Sequence, residues 1–327
     1  MSEHILVTGG AGYIGSHTCK VLAAHGYTPV TYDNLSTGNA HAVQYGPLEQ
    51  GDIADGDRLG AVIDQYAPHA AIHFAAFSLV GESVVDPGLY YRNNTMGTIT
   101  LLDTLLAKFV SNIVFSSTCA TYGTPQKLPM DETTPQAPIN PYGRSKLMIE
   151  HVLRDYVQAY GMNAVALRYF NAAGADPDGQ IGEEHDPETH LIPLMLDAAH
   201  SQDPAKALTV FGDDHPTPDG TCIRDYIHVM DLAVAHVKAL GLMDREPGFH
   251  ALNLGTGAGF SILELIEATR RITNQSVPYS MGPVRAGDPP ELVADPRLAQ
   301  EKLGWIPKMS DVDSLLQTTW NWVSRKS

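Results

Sequence analysis

Short apolar runs alternate along this chain with longer segments whose apolar positions recur every three or four residues, and the first such pair comes at once. Ile5-Leu6-Val7 has the look of a buried strand. It passes through Thr8 into glycines spaced G-x-x-G-x-x-G at Gly9, Gly12 and Gly15, after which Ile14, Val21 and Leu22 fall at helical spacing. Pro29-Val30-Thr31-Tyr32 predicts a second strand, and a short segment ending Gly51-Asp52-Ile53 a third. A helix is expected over 58–66, a fourth strand in Ala70-Ala71-Ile72-His73-Phe74-Ala75-Ala76, and a fifth over 112–115. Between the last two, residues 90–109 predict one amphipathic helix with Leu101, Leu102, Leu105, Leu106 and Phe109 on its apolar face and Asn94 near its start. Another helix opens at Tyr142-Gly143-Arg144-Ser145-Lys146 and runs on through Ile149, Val152, Leu153 and Tyr156.

Strands alternating with helices predict an α/β fold, a doubly wound parallel sheet. From Asn171 the chain turns to loops rich in Pro, Gly and Asp, as a smaller α/β lobe over the strand ends would show. Residues 224–240 and 250–269 read as a helix and strand pair returning to the first lobe. The lobes are therefore expected to interleave: 1–171 with about 221–255 in the first, 172–220 with 256–327 in the second.

Chemistry gathers at the strand ends. Glycines suit the first turn because a Cβ would block backbone approach to a pyrophosphate, while the first N–H groups of the helix attract the anion. Asp33 follows Gly15 by 18 residues, where a carboxylate would hold the adenosine ribose 2′-hydroxyl. No Arg or Lys stands in Asn34-Leu35-Ser36-Thr37-Gly38 to receive a 2′-phosphate, so NAD is favoured over NADP. Asp52 is placed to meet the adenine, and the small Ala75 and Ala76 leave room for a ligand. His73, inside an apolar run, reads as a core histidine. Hydroxyls crowd the fifth strand end in Ser116-Ser117-Thr118. Tyr142 and Lys146, four apart, share a helix face with Cβ atoms about 5–6 Å apart. A free phenol, with a pKa of about 10, is a poor base at neutral pH. An ammonium about 4 Å away, at an effective dielectric near 20, would favour the phenolate by about 4 kcal/mol, or about three pKa units.

Length and composition add exclusions. At 327 residues and 43% hydrophobic, the chain can bury a full core. A formal charge of −16 argues against nucleic acid or an anionic membrane as partner, and an anionic substrate would need local arginines. Cys19, Cys119 and Cys222 are too few and too scattered for a zinc cage or a disulfide framework, which fits a reducing cytoplasm. The N-terminal apolar stretch is too short for a signal peptide, and no apolar run approaches membrane-spanning length. His185 and His190, with Asp186 and Glu188 between, have no standard zinc spacing and read as a solvated loop, so no metal is expected. Gly255-Thr256-Gly257 imitates a phosphate loop but reads as a structural turn.

Gly9 to Gly15, the hydroxyl strand end at Thr118 and Tyr142-x-x-x-Lys146 together resemble the extended short-chain dehydrogenase/reductase family. Within it the chain is similar to the UDP-hexose 4-epimerases over nearly its whole length. That likeness extends through Val80-Gly81-Glu82-Ser83, Leu167-Arg168-Tyr169-Phe170-Asn171, Arg224-Asp225-Tyr226-Ile227-His228-Val229 and Asn253-Leu254-Gly255-Thr256-Gly257. The resemblance implies a Rossmann fold and an NAD that stays bound, held by Gly9, Gly12, Tyr13, Ile14, Gly15, Asp33, Asn34, Asp52, Ile53, Phe74, Ala75, Ala76, Asn94, Tyr142, Lys146 and Phe170. Thr118, Tyr142 and Lys146 are the implied catalytic residues. Tyr142 would take the proton of the sugar 4-hydroxyl, Thr118 would hydrogen-bond that hydroxyl, and Lys146 would lower the phenol's pKa.

Asn171, His190, Leu191, Phe211, Arg224, Arg285, Asp288 and Leu292 are the implied UDP-sugar contacts. The two arginines suit a diphosphate, because a planar guanidinium matches its oxygens in pairs. Ser78 departs from the family, some members of which place a lysine there near the cofactor phosphates. Many epimerases have Ser where Thr118 stands. Related dehydratases and decarboxylases put carboxylates directly after that threonine, whereas this chain has Cys119 and Ala120. Leu292 is intermediate between the tyrosine that restricts the sugar pocket and the smaller residues that admit an N-acetyl group. The resemblance further implies a homodimer joined through the helices near Tyr90 and Gly143. A UDP-pentose or UDP-uronate epimerase stays open, as does a silent NAD-binding regulator.

Overall fold

A computed structural model describes residues 3–284 and 289–325. The first half alternates strands with helices except between the second and third strands, which a single 3₁₀ turn (Ala40–Ala42) joins. Strands β1 (His4–Thr8), β2 (Thr28–Asp33), β3 (Leu48–Gln50), β4 (Ala70–His73), β5 (Asn112–Thr118) and β6 (Asn163–Tyr169) are separated by helices. These are α1 (Tyr13–Ala24), α2 (Gly56–Tyr66), α3 (Val80–Val85), α4 (Pro87–Tyr90), α5 (Gly97–Ala107) and α6 (Pro141–Tyr160). The second half is more broken. It contributes β7 (Asn171–Ala173), α7 (Leu191–Ser201), β8 (Leu208–Phe211), β9 (Ile223–Arg224), β10 (Tyr226–His228), α8 (Val229–Arg245) and β11 (Phe249–Leu254). After these come β12 (Phe260–Ser261), α9 (Ile262–Thr273), β13 (Tyr279–Gly282), β14 (Glu291–Leu292), α10 (Arg297–Leu303) and α11 (Val312–Val323).

Seven parallel strands form the central sheet in the order β11-β6-β5-β4-β1-β2-β3. Strand order reverses between β1 and β4, and the carboxyl ends flanking that reversal make the crevice where such sheets bind ligands. Alternation within each strand serves both faces, since successive side chains point to opposite sides. Ile5, Val7, Ile72 and Val114 enter a core with Leu22 of α1 and Leu232 of α8. Leu6, Ala71, Ile113 and Phe115 enter the other, with Leu59 of α2, Leu101 of α5 and Ile149 of α6. Both faces being covered is why the strands read as continuous apolar runs. A third core joins α7, α9 and α11 with β8 in the smaller lobe. Among the described residues no helix is long and apolar enough to cross a membrane.

Four expectations are corrected. The helix over 90–109 is a run of α4, a π-helical stretch (Tyr91–Met96) and α5, and Phe109 lies past its end at φ 61°, 95% exposed rather than on the apolar face. The π stretch wins because it brings Asn94, fully buried, to the backbone of Phe77. The third strand stops at Gln50, and residues 51–53 turn away, with Asp52 accepting from the Ala54 N–H. Of the segment 250–269, β11 joins the central sheet but α9 packs into the small-lobe core. In the opposite sense, Ala299, Leu303 and Trp305 at and beyond α10 pack into the first core.

A buried polar network braces the strand ends. Arg168 of β6 grips Glu150 of α6 through Nε (2.9 Å) and Nη2 (2.5 Å), and its Nη1 donates to the Tyr122 hydroxyl (2.9 Å). Ser117 Oγ donates to Glu150 (2.6 Å), and Tyr122 donates to Asn253 Oδ1 of β11 (2.6 Å). Both charged side chains are at most 2% exposed. Removing one partner of such a pair leaves the other charge buried without compensation. Glu150→Gln is therefore expected to lower stability by about 3–5 kcal/mol, read as a fall in the urea midpoint at unchanged denaturant slope.

Candidate active site

The first turn is built as an anion site. The N-cap of α1 is Gly12 in extended geometry, and no side chain caps the helix, so its leading N–H groups remain directed at a ligand. Gly9 adopts φ 74°, and a Cβ there would meet the Ala75 nitrogen at 2.5 Å, so only glycine permits this packing. A small enclosed cavity lies between this turn and a loop from the other lobe, lined by Gly12, Tyr13, Ser16, Asn39, Gly182 and Glu184.

At the end of β2, Asp33 is 8% exposed. Its Oδ2 accepts from the Ala11 N–H (3.0 Å) and its Oδ1 from the Leu35 N–H (2.8 Å). Burial raises its pKa above the ordinary range against these two donors. Each carboxylate oxygen keeps a second lone pair for a ribose hydroxyl. Asn34 is tied to Asp52 (2.9 Å), which sets the adenine-side loop. An uncapped helix start, a glycine turn closed to any Cβ and a buried carboxylate at the second strand end fit NAD.

The other implied cofactor residues divide by placement. Ile14 packs against the first core. Gly15 admits no Cβ beside the Gly9 backbone, so its role is close packing. Phe74, Ala75 and Ala76 follow β4 at the crevice. Phe170 is buried with Cys119, Tyr122, Met130 and Ala294. Ile53 is a core side chain. Asn94 is engaged by the Phe77 N–H (2.9 Å), the Phe77 carbonyl (3.0 Å) and Ser145 (3.3 Å), which shapes the loop after β4. His73 is a core histidine, bonded to Thr8 (2.6 Å) and Thr98 (2.8 Å), and burial brings its pKa down to about 3.

Thr118 ends β5, and Tyr142 and Lys146 lie on the first turns of α6, begun by Pro141 and capped by Asn140, which accepts from the Gly143 N–H (2.8 Å). Burial acts against the lowering of the phenol pKa expected from spacing. Lys146, 3% exposed, donates to the Ser116 carbonyl (2.8 Å) over the Phe115 ring, and burial lowers its pKa to about 7. Burial likewise pushes the Tyr142 phenol well above its free value, with Tyr169 adding to the rise and the Thr118 hydroxyl opposing it. The i, i+4 argument assumed a charged ammonium in a half-wet site. Desolvation is the largest influence on each group.

Arg224 of β9 is buried, donates to the Ile223 carbonyl (2.8 Å), and its charge reaches the Cys119 thiol beside Thr118. Leu292 of β14 stands opposite Arg224 in register and packs against the cluster of Cys119 and Phe170. Asn171 opens β7 and donates to the Asp225 carbonyl (3.2 Å). Thus Asn171, Arg224 and Leu292 converge on the Thr118 strand end. Phe211 closes β8, and His190 and Leu191 start α7 from the small lobe. Arg285 and Asp288 lie outside the described residues.

Three features escaped the sequence reading. Glu150 and Arg168 carry no motif that announces a pair. Asp225 accepts from Thr256 N (2.9 Å), Thr256 Oγ1 (2.8 Å), Gly257 N (3.2 Å) and Ala294 N (3.2 Å), so the Gly255 turn wraps a carboxylate from its own chain. The loop of His185 and His190 is not simply solvated. Buried Glu183 pairs with both histidines and Glu188 joins them, and the two carboxylates raise the pKa of His185 to about 9 and, against burial, that of His190 to about 10.

A family model described as the NAD dependent epimerase/dehydratase family matches residues 5–255. Over 326 residues the chain is 51% identical to a Rhizobium meliloti (strain 1021) protein named UDP-glucose 4-epimerase, covering 100% of this chain and 98% of that one. The fold matches a crystal structure of UDP-glucose 4-epimerase from Brucella ovis in complex with NAD at a TM-score of 0.95, with 56% identity over 98% of each chain. It matches that of UDP-glucose-4-epimerase from Stenotrophomonas maltophila, with bound NAD and formylated UDP-arabinopyranose, at a TM-score of 0.95. There identity is 39%, over 99% of this chain and 100% of that one.

The lowered Lys146 pKa has a pH signature. A lysine held below its free value of 10.5 weakens the fold while protonated, and that penalty fades as pH rises from about 7 towards the free value, where the unfolded chain also loses its proton. For protein stripped of cofactor, the stability deficit relative to Lys146→Met is expected to shrink steadily between pH 7 and 10 in urea titrations. A gap that stays constant would mean the amine is solvated.

Proposed function

Because this chain belongs to the NAD dependent epimerase/dehydratase family, we propose that Tyr142, Thr118 and Lys146 are the groups with which it interconverts UDP-glucose and UDP-galactose. The protein is an isomerase that uses NAD. The observation that carries the residue assignment is the placement of Thr118 at the end of β5 against the first turns of α6, where Tyr142 stands one turn before Lys146, whose buried amine is anchored on the Ser116 carbonyl (2.8 Å).

NAD, held at the glycine turn and Asp33, would supply the hydride acceptor and donor for C4 of the sugar. Thr118 holds the sugar 4-hydroxyl through its Oγ1. The Tyr142 oxygen takes that proton during oxidation and gives it back during reduction. Lys146, anchored on the Ser116 carbonyl, regains a proton readily near neutral pH and supports the phenolate. Cys119 and Ala120 offer no carboxylate to expel a hydroxyl, which supports epimerisation over elimination.

The NAD side consists of Gly9, Gly12, Tyr13, Ile14, Gly15, Asp33, Asn34, Asp52 and the strand-end residues, in a lobe of residues 1–171 and 221–255. The nucleotide-sugar lobe is 172–220 and 256–327. Asn171 and Arg224 grip the diphosphate with Arg285, Asp288 takes the uridine ribose, and His190, Leu191 and Phe211 line the UDP. Leu292 leaves room for an N-acetyl group, so UDP-GlcNAc and UDP-GalNAc are included as slower substrates. The working unit is a homodimer in the cytoplasm. Val84 and Val85 of α3, Met96, and Met148 of α6 expose apolar surface along the helices that would pair.

Tyr142→Phe is expected to retain NAD while losing turnover by about 10²–10⁴-fold. Incubation with UDP-glucose, followed by separation of the UDP-sugars, reads the loss, and near-normal turnover would remove Tyr142 from the mechanism. Leu292→Tyr is expected to keep UDP-galactose turnover and abolish that of UDP-GlcNAc, measured by the same separation.

A further inference from the structure

Glu183, His185, Glu188 and His190 each offer one possible donor atom, and all four atoms lie within 4.8 Å of one another. His185 Nδ1 is 3.3 Å from Glu183 Oε1 and 3.6 Å from Glu188 Oε2. His190 Nδ1 is 2.6 Å from Glu183 Oε1 and 3.5 Å from Glu188 Oε1. Donors placed tetrahedrally about 2.0–2.1 Å from a zinc ion are separated by about 3.3 Å, close to the distances from His185 Nδ1 to Glu183 Oε1 and Glu188 Oε2; Glu188 Oε1 is occupied by the Thr189 and His190 N–H groups (2.7 and 2.8 Å), which leaves Oε2 as the donor of that residue. Glu183 supplies the second observation. Its side chain is 3% exposed, yet Oε1 makes no hydrogen bond, and the buried Nδ1 of His185 makes none either. These atoms meet as ion pairs of the two rings with a buried carboxylate, so a dication entering the cluster would displace the two ring protons and take their place.

We propose that Glu183, His185, Glu188 and His190 form a binding site for a divalent first-row transition-metal ion of the Zn²⁺ class. Two imidazoles and two carboxylates neutralise a dication and match its borderline softness, whereas Mg²⁺ and Ca²⁺ favour all-oxygen sets. Four protein donors close a tetrahedral shell, so the ion is structural. Judging the spacing of the two histidines alone missed this site, because the buried donor Glu183 precedes both.

The location gives the ion a task. Asn39 Nδ2 donates to the Glu184 carbonyl (3.3 Å), His41 pairs with the Glu184 carboxylate (2.8 Å), and Trp322 Nε1 donates to the Glu183 carbonyl (3.1 Å). Tyr13, on the first turn of α1, sets its ring edge-on to His185 at 6.4 Å between centroids. The segment thus roofs the glycine turn, and an ion held by it would tie that roof to the start of α7. Coordination through Nδ1 leaves the Nε2 edge of His190 for the substrate role proposed above.

The test uses full-length, tag-free protein with its cofactor bound, cleared of metal with dipicolinate and titrated with Co²⁺. The expected result is one equivalent bound, visible absorption of four-coordinate intensity, and displacement by Zn²⁺. His185→Ala and Glu183→Gln should each weaken binding at least tenfold, while His69→Ala, at an exposed histidine elsewhere, should not. Glu183 is buried and its replacement perturbs the loop, so His185→Ala, at a partly exposed position, decides. No absorption at one equivalent, or the same titration in His185→Ala, overturns the site. Zn²⁺ is also expected to slow the loss of NAD on dilution, and an unchanged rate overturns the clamping task. None of these readouts needs turnover, so their failure leaves the epimerase assignment standing.

Discussion

Lys146 carries its amine into the protein between the Ser116 carbonyl and the Phe115 ring, with no carboxylate ion-paired to it among the described residues. A buried ammionium without a counter-charge is held only if the surroundings are too well packed to collapse or to admit water. Here α6 supplies that rigidity from one side and the parallel strands from the other. The same burial raises the Tyr142 pKa, so the phenolate that takes the substrate proton depends on positive charge brought close to it, which Lys146 and an oxidised nicotinamide would supply. This is the condition under which a weak acid such as a phenol can exchange a proton with an alcohol in both directions.

Everything that surrounds this pair keeps it in place. The Glu150–Arg168 pair binds α6 to β6, and through Tyr122 and Asn253 it reaches β11. Ser117, the residue before Thr118, is drawn to the same carboxylate. A full ionic pair inside a protein gives little net stability over an apolar equivalent, but its directional bonds specify one arrangement of three strands and a helix. Asp225 does similar work for the smaller lobe. By collecting the N–H groups of Thr256, Gly257 and Ala294 it fixes the crossing where the chain leaves the sheet, and it sits beside Arg224.

The smaller lobe reaches back to the cofactor turn through one loop. Lys20 of α1 holds Asp176 (2.6 Å) and Asp178 (2.7 Å), Tyr13 donates to the Gly174 carbonyl (2.5 Å), and Glu184 is met by Asn39 and His41. These contacts close the first turn of α1 from the side of the smaller lobe. They also explain why the Tyr13 phenol, buried and close to Glu183 and Glu188, is held far from ionisation.

How much of this was legible beforehand follows from range. The apolar runs of β1, β2, β4 and β5, the glycine turn, Asp33, and the Tyr142 and Lys146 pair are local patterns: strand, turn and helix periods act over a few residues, and the chain alone determined them. The π stretch around Asn94 was not readable, because its stabilising partner is the backbone of Phe77, 17 positions away. Nor were the partnership of Glu150 with Arg168, the wrapping of Asp225, or the convergence of Glu183 and Glu188 on two histidines. The upward push that burial gives the Tyr142 pKa also needed the fold. Spacing sets how near an amine can come, whereas burial sets the dielectric in which both groups must carry charge, and only the packed tertiary structure excludes the water that decides between them.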